Sequence, residues 1–137
     1  MSDDAPRLDI LVRMLTHAFD LAFDEALADR SSTRAEFVML SRLADSHDPV
    51  TWEVLEGSMP VGYGPGLLTE TWNALAVAGW ADEVDGLRVA TQGGREALDE
   101  LHAAIDGIAT EATAGIAAHD VEVAAEVLRH MLDNLGD

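Results

Sequence analysis

Residues 65–94 read PGLLTETWNALAVAGWADEVDGLRVATQGG, and three local signals in this stretch decide the fold. Pro65 suits the first turn of a helix, where its missing N–H would have had no intrahelical partner. Leu68, Trp72 and Leu75 then step by four and three, the spacing of one inward helical face, and Gly79 supplies the stop. Behind it stand Trp80–Val84 and Leu87–Ala90, separated by Asp85-Gly86. That dipeptide accepts the positive φ of a two-residue type I′ turn, so the two runs are expected to pair as a β-hairpin. A further helix is expected from about Gly94, carrying Leu98, Leu101, Ile105 and Ile108.

Towards the N-terminus, Pro60-Val61-Gly62-Tyr63-Gly64-Pro65-Gly66 packs three Gly and two Pro into seven residues and reads as a loop. Thr51 to Glu56 can make a short helix ending at Gly57, after the turn chemistry of Ser46-His47-Asp48-Pro49. Thr33 and Glu36 have the spacing of a capping box for a helix through Phe37, Leu40 and Leu43 that stops near Asp45. From Pro6 to about Asp29, Leu8, Leu11, Leu15, Ala18, Ala22 and Ala26 line one face of a long helix, broadened by Met14, Phe19, Leu21 and Phe23. At the other end, after Asp120, Val121, Ala124, Leu128, Met131 and Leu135 recur at heptad-like intervals before Gly136.

Helix, turn, helix, tight hairpin and helix is the order of a winged helix-turn-helix. The expected architecture is therefore mainly α: one domain over residues 1–137, with a winged lobe at about 31–95 and long flanking helices at about 6–30 and 94–137. A chain of 137 residues, 48% apolar, suits a single core. The terminal stripes have no partner within so small a lobe. Burial is worth about 1.5–3 kcal/mol per large apolar side chain, so leaving Leu128, Met131, Leu132 and Leu135 in water would be unfavourable.

The sequence resembles the MarR family of bacterial transcriptional regulators over nearly its whole length. The resemblance is carried by Phe37-Val38-Met39-Leu40-Ser41-Arg42-Leu43, by Leu75-Ala76-Val77-Ala78-Gly79-Trp80, and by Thr91-Gln92-Gly93-Gly94-Arg95-Glu96-Ala97-Leu98. The last is similar to the family's threonine-x-x-glycine passage from wing to helix. The resemblance implies a homodimer in which the first and last helices of two protomers interleave, with Leu8, Leu11, Leu15, Val121, Leu128, Met131, Leu132 and Leu135 as candidate interface residues. It implies duplex DNA as partner, met by Gly64, Pro65, Gly66, Thr69, Thr71 and Asn73 of the recognition helix and by Arg88 of the wing. It also implies a small-molecule effector, bound between the dimer helices and the lobe near His17, Asp20 and Phe37.

Charge departs from that pattern. All 8 basic residues are Arg, against 26 acidic residues, for a net charge of −18. Residues 1–30 hold seven acids and three Arg, residues 31–95 nine and four, and residues 96–137 ten and one, so no segment is basic. From Gly62 to Ala90 a single cation, Arg88, faces Glu70, Asp82, Glu83 and Asp85. Duplex affinity rests largely on neutralised phosphates, so the four lobe arginines, Arg34, Arg42, Arg88 and Arg95, set a low ceiling per protomer. A salt-rich cytoplasm or a GC-rich genome would account for the acidity without loss of DNA binding. The alternative is an acidic protein-interaction module on the same scaffold, a DNA mimic or the non-binding partner of a basic regulator.

Other chemistry is excluded or weak. Without Lys there is no phosphate-gripping P-loop lysine, Schiff base or polybasic membrane patch, and without Cys there is no disulfide, thiolate nucleophile or cysteine zinc site. Asp99/His102 and Glu126/His130 have helical spacing, but 26 carboxylates make such pairs expected by chance, so neither a metal nor another cofactor is expected. No nucleophile elbow or dinucleotide fingerprint occurs, so no catalytic residue is assigned and an enzyme is not expected. Trp52, Tyr63, Trp72 and Trp80 read as packing of the lobe. No apolar run approaches a membrane span, and the acidic start MSDDAPR is unlike a signal peptide, so a cytoplasmic location is expected.

Overall fold

A computed structural model describes residues 7–136, which form six helices and one β-hairpin. Helix α1 spans Leu8–Ala28; the expected start at Pro6 lies outside the described residues. At its first turn the Arg7 guanidinium stands 3.0 Å from the Asp9 carboxylate and holds that carboxyl below its ordinary value. Helix α2 (Arg34–Asp45) opens on the expected cap, the Thr33 hydroxyl accepting the Glu36 N–H at 3.2 Å. Thr51 does the same for Val54 at 3.2 Å and opens α3 (Trp52–Ser58). The helix runs through Gly57 rather than stopping there, because a glycine weakens a helix without obliging it to end.

Helix α4 (Pro65–Ala78) begins with Pro65 in its first turn and ends on Gly79, whose φ of 80° is left-handed. From that position the Gly79 and Trp80 N–H groups return to the Ala76 and Leu75 carbonyls. Strands β1 (Ala81–Val84) and β2 (Leu87–Ala90) pair antiparallel, Ala81 opposite Ala90 and Val84 opposite Leu87. Asp85 at φ 55° and Gly86 at φ 80° make the expected tight turn. The strand alternation does not disclose a third piece: Val50 bridges Arg88, each donating its N–H to the other's carbonyl, at 3.1 and 2.6 Å.

The core of the winged lobe joins Met39, Leu40 and Leu43 of α2 to Leu55, Met59, Leu68 and Leu75, and closes on Ala81, Ala90 and Leu98. Trp52, Tyr63, Trp72 and Trp80 pack against it as partly buried side chains. Helix α5 (Gln92–Ala112) starts two residues before the expected Gly94. Its first turn is capped by Thr91, whose hydroxyl accepts the Gly94 N–H at 3.0 Å and donates to the Gly79 carbonyl at 2.6 Å. The threonine-x-x-glycine pattern thus ties the end of α4 to the start of α5. A Cβ on Gly94 would lie 2.8 Å from the Trp80 carbonyl carbon, so only glycine fits that contact.

Contacts divide the described chain into two compact units, the first ending at Ile105 and the second beginning at Asp106. In the second, Gly115 at φ 81° makes the turn before α6 (Ala118–Leu135). None of the residues of α6 is buried, and Val123, Val127, Leu128, Leu132 and Leu135 are exposed. No helix among the described residues is long and apolar enough to cross a membrane.

Candidate nucleic-acid interface

The outward face of α4 follows from its inward one. Leu68, Thr71 and Leu75 are buried and Trp72 half-buried, so Gly66, Thr69, Glu70, Asn73, Ala76 and Val77 point to solvent. Gly64, Pro65 and Gly66 at the helix N-terminus are exposed, and no side chain caps them. The candidates Gly64, Pro65, Gly66, Thr69 and Asn73 therefore stand together on one accessible surface. Thr71 does not. It is 3% exposed and donates its hydroxyl to the Leu67 carbonyl at 2.7 Å. Standing three residues after Leu68 and four before Leu75, it falls on the packing stripe, where its methyl group is buried and its hydroxyl is satisfied by the helix itself.

Arg88 is also placed differently from a free wing cation. Its guanidinium carbon lies 4.3 Å from the Trp72 ring centroid and 4.8 Å from that of Trp52. The side chain is 17% exposed, and Glu83 Oε1 stands 3.7 Å from a buried Nε that has no hydrogen-bond partner. Register explains the burial: side chains alternate along a strand, so Arg88 shares its face with Ala90, which is in the core. Trp52 and Trp72 were legible as lobe packing but not as partners of this cation; the parity of Arg88 with Ala90 was the available clue.

The other lobe arginines also contact protein groups, of the lobe or of α1. Arg34 pairs with Asp24 at 3.0 Å and Asp20 at 3.6 Å and lies over the Phe23 ring. Arg42 donates through Nε to the Ser58 carbonyl at 3.0 Å, and Arg95 through Nη1 to the Ala44 carbonyl at 3.2 Å. Arg42 and Arg95 remain exposed with further N–H groups, and the Arg34 side chain, though paired, is also 41% exposed.

Of the candidate effector residues, His17 and Asp20 are exposed on α1, and Asp20 faces Arg34. Phe37 is half-buried, edge-on to Phe23 at 5.6 Å and to His102 at 5.3 Å. Two cavities, of about 260 and 230 Å³, lie elsewhere, on either side of the turn after α2: one reaches Arg42 and Val54, the other His47, Val89 and Arg95. No cluster of three metal-ligating side chains occurs among the described residues. Among the candidate interface residues Leu8, Leu11, Leu15, Leu128, Leu132 and Leu135 are exposed, while Val121 and Met131 are half-buried.

Solved structures share this fold over almost the whole chain. A mutant MepR from S. aureus, bound to an oligodeoxyribonucleotide, matches with a TM-score of 0.73 at 15% identity, covering 96% of this chain and 100% of that one. The reduced form of MarR from E. coli matches at 0.69 and 23% identity, over 95% and 96% of the two chains. A MarR family regulator from Rhodococcus sp. RHA1 matches at 0.66 and 20% identity, over 94% and 97%. The fold is that of the MarR-family regulators. No protein-family model and no curated protein matches the sequence.

Proposed function

We propose that this protein is a MarR-like transcriptional regulator that binds duplex DNA as a homodimer, its affinity set by a small-molecule effector. The observation that carries the reading is the open face of α4. Pro65 has no N–H and Gly64 no capping side chain, so at the exposed start of this 14-residue helix the Gly66 and Leu67 N–H groups have no side-chain cap, and Thr69 and Asn73 follow on the same side. Helix N-termini favour phosphate through unpaired N–H groups and the helix dipole, and hydroxyl and amide side chains can meet base edges or phosphate. The DNA-bound MepR structure supports this use of the fold. Exposed apolar side chains on α1 and, separately, on α6 support burial against a second copy. An effector that favours one spacing of the two lobes would shift operator affinity by its differential binding.

A second reading has its own support. Glu70 stands on the outward face of α4, and Arg34 and Arg88 are engaged with protein groups, so the face that would approach phosphate carries one carboxylate among neutral groups and no cation. On that reading the scaffold contacts a basic protein.

One titration separates the two. The purified protein is mixed with its promoter DNA, a scrambled duplex and a basic regulator across a salt series. Each neutralised phosphate contributes roughly −0.9 to the slope of log K against log salt, so the regulator reading expects promoter-selective binding with a shallow slope. Binding to the basic protein alone, with no duplex held even at low salt, selects the second reading. A steep DNA slope overturns both.

A further inference from the structure

Arg88 stands where four segments meet. Trp52 of α3 and Trp72 of α4 approach edge-on with ring centroids 6.5 Å apart, and the guanidinium rests against both. On the neighbouring strand Glu83 occupies the paired position, and the main chain of Arg88 closes the bridge to Val50 before α3. A guanidinium is planar, stacks on indole faces and is more weakly hydrated than an ammonium, so it withstands this desolvation where a lysine would not. Its Nε lies buried with the Glu83 carboxylate 3.7 Å away, so the inner edge of the guanidinium faces the lobe.

The geometry points to Arg88 as a positioning residue: a cation held between two indoles that fixes the wing to α3 and α4 and neutralises no phosphate. The cage is a property of the free protein; only the statement about phosphate rests on the DNA reading proposed above. It follows that wing and recognition helix move as one body.

The test uses the full chain with Arg88→Met, which keeps much of the stem and removes the cation, and Arg88→Lys, which keeps the charge and removes the plane. Both variants are expected to lose near-ultraviolet circular dichroism from the indoles, to become more open to acrylamide quenching of tryptophan, and to melt several degrees lower. On promoter DNA both should bind more weakly at every salt concentration, with slopes parallel to that of the unaltered protein. A slope for Arg88→Met shallower by about 0.9, with an unchanged near-ultraviolet spectrum, would show a lost phosphate contact and overturn the inference. So would an Arg88→Lys protein identical to the parent in spectrum, quenching and melting. If no duplex binds at all, the DNA reading fails on its own and the spectra still decide the cage. Should Arg88→Met not fold, Arg88→Lys carries the comparison.

Discussion

At position 94 a single methyl group would meet the main chain. The Cβ of an alanine there would press on the Trp80 carbonyl, 2.8 Å from its carbon, while at Gly93 the nearest atoms are an ordinary 3.7 Å away. Overpacking of this kind costs about 1–3 kcal/mol. Gly94→Ala is therefore expected to lower the melting temperature by several degrees, and Gly93→Ala to leave it unchanged or raise it, as followed by circular dichroism; equal behaviour of the two would contradict the contact. Glu70 gives a functional counterpart. On the exposed face of α4 its charge opposes phosphate, so Glu70→Gln should tighten binding to promoter DNA in a mobility-shift titration. A loss of affinity would mean that the carboxylate accepts from a cytosine amino group instead. Both positions could be singled out from sequence, Gly94 by the motif and Glu70 by its charge. The reason for Gly94, the Trp80 carbonyl, lies in the packing.

The wing shows how much of an element is local. Asp85-Gly86 sets the turn, and the structure places both residues at positive φ, 55° and 80°. Gly86→Ala should weaken the hairpin by about 1–2 kcal/mol, since left-handed backbone crowds a Cβ. Asp85→Asn should be neutral, because asparagine accepts the same conformation. Melting curves of the two variants give the comparison. The boundaries of α2 and α4 were legible for the same reason: Thr33, Pro65 and Gly79 act within a few residues of themselves. The start of α5 was less so. A Gly-Gly pair reads as a poor helix opening, yet Thr91 caps Gly94 and the helix begins at Gln92. Thr71 was singled out because its residue type suggested a DNA contact, whereas its place between Leu68 and Leu75 decided its burial.

On the scale of the whole molecule, α1 exposes Leu8, Leu11 and Leu15, and α6, in the second unit, exposes Leu128, Leu132 and Leu135, the last two at 69% and 88%. A homodimer would bury such residues, so the unaltered protein should scatter light as a mass of about twice its 14.7 kDa. Leu128→Glu combined with Leu132→Glu, on one side of α6, should reduce that to the single-chain value, because a buried unpaired carboxylate is strongly unfavourable. A double variant that remains dimeric would remove these two residues from the interface.

Element order, helix periodicity, the hairpin turn and the negative balance were settled by sequence alone, since each depends on neighbours within a turn or two or on a simple count. Availability of charge was not. A count sees four arginines in the lobe, but Asp24, the Ser58 carbonyl, the two indoles of Trp52 and Trp72, and the Ala44 carbonyl become their partners only when helices and wing are packed together. Whether a cation can serve an external phosphate depends on what already surrounds it in three dimensions, and residues far apart in the chain determine that.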